Sequence, residues 1–203
     1  MSTLILVRHG ESEWNAENRF TGWVDVPLSE RGRQEAKNAG ERLAAEGFRV
    51  DRAYTSALSR AQETGRIILD ALGQDDLEQI EAWQLNERFY GLLTGRNKAQ
   101  TAEEFGAEQV HLWRRSYDVA PPGGESLAHT AARTLPYFHE EIVPATREVD
   151  VVLVSAHGNS LRSIIKHLDD LDDEAVTRLE LATGVPVLYE MADGRPVGKL
   201  VLD

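Results

Sequence analysis

The 203-residue sequence contains no cysteine, which excludes disulfides, cysteine-ligated metal and a thiol nucleophile. It is short of positive charge: 22 Lys+Arg against 34 Asp+Glu give a formal net charge of −12. That balance argues against a general nucleic-acid or anionic-membrane surface. No apolar run approaches the roughly 18 residues of a membrane span. The first apolar stretch, Leu4 to Val7, is followed at once by Arg8 and His9. It is too short for a signal-peptide core, so a cytoplasmic location is expected. No glycine-rich stretch ends in Gly-Lys-Ser/Thr, so there is no P-loop. His111, His129, His139 and His167 lack zinc spacing, and the acidic run Asp169, Asp170, Asp172, Asp173, Glu174 lacks the glycine and spacing of a calcium loop. No metal is therefore expected. What remains, 41% apolar and 28% charged residues, is the composition of an ordinary globular chain.

The length suits one domain, and no internal repeat is visible. Thr3 to Val7 and Val151 to Ser155 are short apolar runs of the kind that form buried strands. Arg52 to Thr55 reads as another strand, Gln79 to Trp83 as a weak one, and Val185 to Glu190 and Val197 to Leu202 as closing strands. A polar, aromatic-rich loop spans Gly10 to Pro27. Helices are expected from Ser29, an N-cap, to near Gly47, and from a Ser59/Gln62 capping box to near Gly73. Asn97 to about Tyr117 is helical, with a second capping box at Thr101 and Glu104 and a break at Gly106. Ser126 to about Val143 is helical despite Pro136, which could kink it, and Leu161 to Leu168 follows the strand at 151–155. Strands alternating with helices imply a three-layer α/β domain, with a mostly parallel central sheet and helices on both faces. The stretch 84–124 has helices but no good strand and reads as an elaboration within a single domain covering 1–203.

Ligands of open α/β sheets bind beyond the carboxyl ends of the strands. The first strand ends in Arg8-His9-Gly10, and the strand at 151–155 runs into Ala156-His157-Gly158-Asn159-Ser160. If these strands are neighbours, both imidazoles enter one pocket. Arg60 falls in the first turn of a helix, where its guanidinium and the helix dipole both favour an anion. A single His-Gly turn is commonly structural; two of them with Arg8 and Arg60 are hard to attribute to accident.

Leu6-Val7-Arg8-His9-Gly10-Glu11-Ser12 resembles the signature of the histidine phosphatase superfamily. Trp14-Asn15, Asn18 to Trp23, Tyr54-Thr55-Ser56, Arg60-Ala61, Leu85 to Arg88, Tyr90-Gly91, Asn97-Lys98, Trp113 to Arg115, Glu125 to Leu127, Ala156 to Arg162 and Thr183 to Pro186 are similar to its cofactor-dependent phosphoglycerate mutase branch, nearly end to end. The resemblance implies interconversion of 3- and 2-phosphoglycerate, a glycolytic and gluconeogenic step, primed by 2,3-bisphosphoglycerate. It makes His9 the carrier of the phosphoryl group and Glu87 the acid/base, with Arg8, Arg60 and His157 around the transferring group. It assigns Ser12, Asn15, Thr21, Gly22, Arg88, Tyr90, Lys98, Arg114, Arg115, Gly158 and Asn159 to substrate binding. A homodimer is a further possibility it raises. The chemistry suits these residue types: neutral imidazole attacks phosphorus, cations neutralise the equatorial oxygens, and a carboxylate moves the hydroxyl proton.

Two features depart from longer relatives. Only Gly123-Gly124 separates Pro122 from Glu125, and the sequence runs to Asp203 without a long tail beyond the last strand. Both imply less cover over the pocket, and cover excludes water from a reactive phosphoenzyme. Two other readings therefore stay open: a histidine phosphatase acting on a small phosphoester, and a non-catalytic phospholigand-binding protein. Lys98, Arg114 and Arg115 speak for a second anion, and His9, Glu87 and His157 speak for catalysis.

Overall fold

A computed structural model describes all residues, Met1–Asp203. One six-stranded sheet contains β1 (Ser2–Arg8), β2 (Arg52–Thr55), β3 (Gln79–Glu81), β4 (Val151–Ala156), β5 (Pro186–Ala192) and β6 (Arg195–Val201), in the spatial order β3-β2-β4-β1-β5-β6. The pairings from β3 through to β1 are parallel, and β5 and β6 join antiparallel. The helices in chain order are α1 (Glu13–Ala16), α2 (Glu30–Ala45), α3 (Ser59–Ala71), α4 (Lys98–Phe105), α5 (Ala107–Arg115), α6 (Leu127–Tyr137), α7 (Val143–Glu148), α8 (Gly158–Leu168) and α9 (Asp173–Arg178).

The near-continuous apolar character of β1 and β4 follows from burial on both faces. Leu4, Leu6, Val152 and Val154 meet Phe138, Ile142, Ile164 and Ile165 on one side. Ile5, Val7 and Leu153 meet Ala39, Leu43, Ile68 and Leu69 on the other. Each such side chain, fully withdrawn from water, contributes about 1.5–3 kcal/mol of transfer free energy. A third, small cluster of Phe20, Leu93 and Val110, flanked by Tyr90 and Trp113, ties the 84–124 elaboration to the first loop. Main-chain bonds from Phe20 N–H to the Arg96 carbonyl (3.0 Å) and from Lys98 N–H to that of Asn18 (2.8 Å) add to it.

The helix starts differ from expectation where distant partners capture the capping groups. Ser59 is the first residue of α3 and not its cap, which is Leu58; both the Ser59 N–H and hydroxyl donate to Asp25 at 2.8 Å. Thr101 lies inside α4, which Asn97 caps, and Glu104 pairs with Arg96. Gly106, at φ +87°, separates α4 from α5 as expected. The helix after Ser126 passes through a π-helical segment, Phe138–Ile142, and continues as α7 to Glu148. Pro136 removes one N–H from the ladder just before this wider turn. Helix α8 begins at Gly158, three residues before Leu161, so its first turn abuts His157.

Candidate active site

The carboxyl ends of β1, β2 and β4 converge. Register pairs Arg8 with Ala156, so the next residue of each strand, His9 and His157, brings its imidazole beside the other at 4.9 Å between ring centroids. Ser56, just beyond β2, shares a 2.7 Å hydrogen bond with His157 Nε2. The turn after His9 is possible because two glycines meet there. A Cβ on Gly10 would lie 2.1 Å from the Gly32 carbonyl oxygen, and one on Gly32 would lie 2.0 Å from that of Glu11. The loop is thereby pressed onto α2, and the Gly10 N–H donates to Thr64 Oγ1 at 3.1 Å.

His9 is buried, and its Nδ1 lies 2.6 Å from the Gly10 carbonyl oxygen. A carbonyl only accepts, so Nδ1 carries the proton and the lone pair sits on Nε2. Burial first, then the charges of Arg60 and Arg8, push the His9 pKa well below its ordinary value, outweighing the Gly10 bond. His157 is held low in the same way by burial, Arg60 and His9. Both rings are neutral at physiological pH, and His9 presents a free nucleophilic nitrogen.

A cavity of about 250 Å³ opens over His9. Its walls carry Arg8, Arg60, Arg88, Lys98, Arg114, Arg115 and Arg162 against the carboxylates Glu87 and Glu180. This is a local inversion of charge in an acidic protein, which concentrates anions at the mouth. Arg60 is 1% exposed and binds the carbonyls of Gly22 (2.7 Å) and Val24 (2.9 Å). Burial lowers its pKa to about 10, which still leaves it charged. Arg8 donates to the Leu181 carbonyl (2.8 Å), and Arg88 to that of Arg114 (2.8 Å). The buried Nε atoms of Arg8, Arg60 and Arg88 and the Thr21 hydroxyl have no protein partner. Burying donors without acceptors is costly, and an anion with several oxygens would satisfy them.

Glu87 is fixed by its own neighbours. Its Oε1 accepts from the Arg88 N–H (2.7 Å), the Asn159 N–H (3.2 Å) and Asn159 Nδ2 (2.8 Å). Oε2 is left free, close to the site a Gly158 side chain would occupy beside Arg8 and Arg162. Burial raises the Glu87 pKa, but the Arg88 N–H, Asn159, Arg8 and Arg88 together outweigh it and bring it below the usual value. Its backbone is anchored as well: the Glu87 carbonyl accepts from Trp23 Nε1 (2.5 Å) and Arg133 (2.9 Å).

Of the residues expected from the sequence, Arg8, His9, Asn15, Thr21, Gly22, Arg60, Glu87, Arg88, Tyr90, Lys98, Arg114, Arg115, Gly158 and Asn159 all line this cavity. His157 is not in the wall but lies beside His9, 4.9 Å between ring centroids, and its buried Nδ1 has no protein partner. Ser12 is fully buried and sits outside the wall, where its oxygen caps α1 by accepting from the Asn15 N–H (3.2 Å). Arg162 and Glu180 line the cavity without having been singled out. Arg162 was accessible to sequence reasoning, since it follows Asn159 by three helical residues and shares its face. Glu180 carried no signal, because it lies in a loop far along the chain.

Residues 4–203 match the histidine phosphatase superfamily (branch 1). The chain belongs to that superfamily. It is 58% identical over 190 residues to a 2,3-bisphosphoglycerate-dependent phosphoglycerate mutase of Parvibaculum lavamentivorans, covering 94% of this chain and 90% of that protein. It is 53% identical over 201 residues to a phosphoglycerate mutase of Schizosaccharomyces pombe, covering 98% and 95%. Among solved structures it resembles Bacillus stearothermophilus YhfR, with TM-score 0.84, 29% identity and 97% and 94% coverage. It also resembles a mycobacterial glucosyl-3-phosphoglycerate phosphatase complexed with VO3, with TM-score 0.82, 26% identity and 94% and 93% coverage. The superfamily fold thus carries both mutases and phosphatases among this chain's relatives.

Proposed function

We propose that the protein is a 2,3-bisphosphoglycerate-dependent phosphoglycerate mutase that interconverts 3- and 2-phosphoglycerate. The observation that carries this reading is the two-ended cavity. Neutral His9 sits at the floor with Arg8 and Arg60, and a separate cationic group of Lys98, Arg114 and Arg115 stands on the elaboration. A phosphoglycerate has a phosphoryl group for the first and a carboxylate for the second. A phosphatase acting on a simple ester has no use for the second group. The orphaned donors on Arg8, Arg60, Arg88 and Thr21 suit a ligand with many anionic oxygens, and 2,3-bisphosphoglycerate, when bound, supplies the first phosphoryl group to the enzyme.

In the transfer step, Nε2 of His9 forms a bond to phosphorus as the P–O bond of the donor breaks. Arg8 and Arg60 hold the equatorial oxygens, and neutral His157 can donate to them. Oε2 of Glu87, ionised in the resting site, provides the proton exchange: it takes the proton of the substrate hydroxyl as that oxygen attacks the phosphorus on His9, and gives it to the oxygen that departs when His9 is phosphorylated again. His9 thus gives its phosphoryl group to the free hydroxyl of the monophosphate and, after the resulting bisphosphate has turned over in the cavity, takes one back from the other position, which leaves the isomer. The reading includes a single 203-residue domain in the cytoplasm, working as a homodimer, which size-exclusion chromatography with light scattering tests.

The deciding assay incubates the protein with 3-phosphoglycerate, with and without a trace of the bisphosphate, and measures 2-phosphoglycerate and free phosphate together. Bisphosphate-stimulated isomer formation is expected. Dominant phosphate release would make the protein a phosphatase, and absence of turnover would make it a binder.

Two variants dissect the site. Glu87→Gln removes the proton carrier but keeps the shape, so kcat should fall about 10²–10⁴-fold while the Kd for 3-phosphoglycerate changes little. An unchanged kcat would remove Glu87 from proton transfer. The double variant Arg114→Ala with Arg115→Ala should raise KM for phosphoglycerate far more than it slows phosphorylation of His9. Equal loss of both would count against a distal carboxylate seat.

A further inference from the structure

The cavity holds two carboxylates, and the transfer scheme uses only Glu87. Glu180 lies between α9 and β5, with one oxygen 2.7 Å from Arg115 Nη2 and the other 3.8 Å from Arg162 Nη2. Arg115 belongs to the cationic group that would take the far end of a phosphoglycerate. We propose that Glu180 is an internal competitor for that distal anion seat, a specificity-determining residue that weakens binding of any anion long enough to reach from His9 to Arg115. The inference rests on the mutase reading in taking the natural occupant of the seat to be the carboxylate of a phosphoglycerate.

The placement is specific. The carbonyl before Glu180, that of Leu179, accepts from Arg162 Nε at 2.9 Å, and the carbonyl after it, that of Leu181, accepts from Arg8 at 2.8 Å. Cavity arginines therefore pin the backbone on both sides, and the carboxylate between them is held at the rim, where only its side chain has to swing away. The side chains of Arg115 and Arg162 are 29% and 12% exposed against 69% for Glu180, so the acid reaches inward to cations that are already in place. An incoming carboxylate must take over the guanidinium edge that Glu180 holds, or share it at the cost of repulsion between like charges. Because water competes at this exposure, the ion pair is weak, and its displacement lowers ligand affinity by only about two- to fivefold. Such a competitor keeps a highly charged ligand from being retained after each turn, and its effect grows with the charge the ligand places at the far end.

The test is calorimetric titration of the wild type and Glu180→Gln, at fixed low ionic strength, with three probes: 3-phosphoglycerate, inorganic pyrophosphate and inorganic phosphate. The amide keeps the shape and can still accept from Arg115, so the change isolates charge. We expect 3-phosphoglycerate and pyrophosphate to bind about two- to fivefold more tightly to the variant, and phosphate, which fits beside His9 alone, to change less. The gain should shrink at high salt. Unchanged or weaker binding of both long probes overturns the proposal, and so does weaker binding accompanied by a lowered Tm, which would assign Glu180 a structural role. If Glu180→Gln does not fold, Glu180→Ala serves the same comparison. Wild-type protein that binds pyrophosphate but not 3-phosphoglycerate would sink the mutase reading, and a tightened pyrophosphate titration would then still support Glu180. Normal mutase turnover with no tightening in the variant would sink the Glu180 proposal alone.

Discussion

His9→Gln is expected to lower mutase turnover by at least about 10⁴-fold, the scale on which removal of a covalent nucleophile is felt, and to abolish the acid-labile phosphoryl label on the protein. Glutamine keeps a polar side chain of similar reach but has no basic lone pair for attack on phosphorus. The structure sharpens the expectation through protonation. With Nδ1–H directed at the Gly10 carbonyl and the pKa held down by burial, Arg60 and Arg8, Nε2 stays free as the pH falls. A free imidazole is half protonated near pH 6.5. A base with a lowered pKa remains unprotonated below that point, so the rate of His9 phosphorylation in the wild type should hold between about pH 7 and 6 instead of halving near 6.5. Rapid-quench measurement of the labelled enzyme across that range checks this directly. Turnover by His9→Gln within tenfold of the wild type would place the chemistry elsewhere.

Much of this arrangement could be read from the chain because it is local. Apolar runs of five or six residues that end in His-Gly announce strands that deliver a side chain to the sheet edge, and the structure pairs those two strands as neighbours. The cationic residues of the elaboration became legible only through family resemblance, since adjacent arginines on a helix are ordinarily one solvated face. What stayed hidden depends on partners distant in sequence. Nothing in Ser59-Arg60-Ala61-Gln62 reveals that Asp25, 34 residues earlier, takes the serine hydroxyl and turns an apparent cap into a first helical residue. Ser12 carries a family motif, yet its own neighbourhood makes it a cap for α1, with Asn15 answering through its Oδ1. The π-helical turn after Pro136 shows the same limit: a proline signals a disturbed ladder, but whether the helix stops, bends or widens is decided by the packing of Phe138 and Ile142 in the core. Glu180 is the extreme case, a carboxylate whose meaning comes from two arginines on other elements.

Arg60→Ala should have the second-largest effect, a fall in kcat of about 10³–10⁵-fold, the range seen when an arginine is withdrawn from a transferring phosphoryl group. Two losses combine. The guanidinium is 1% exposed, and burial lowers its pKa only to about 10, so at neutral pH a full charge stands beside His9 in a site with little water to replace it. The same group binds the carbonyls of Gly22 and Val24; removing it leaves the Gly22 oxygen unpaired, at about 1–3 kcal/mol, and that of Val24 with only the Val26 N–H at 3.1 Å. The segment carrying Thr21 and Gly22 then loses its hold on the cavity wall. Arg60→Lys separates these contributions. An ammonium restores the charge but cannot span two carbonyls and still address the ligand as a planar fork does, so it should recover part of the rate and little of the lost stability. The measurements are kcat and Tm for both variants. A folded Arg60→Ala protein that keeps a tenth of wild-type kcat would show that charge at this position does not drive transfer, and full recovery of kcat by Arg60→Lys would show that charge alone, without the anchored loop, is what the reaction needs.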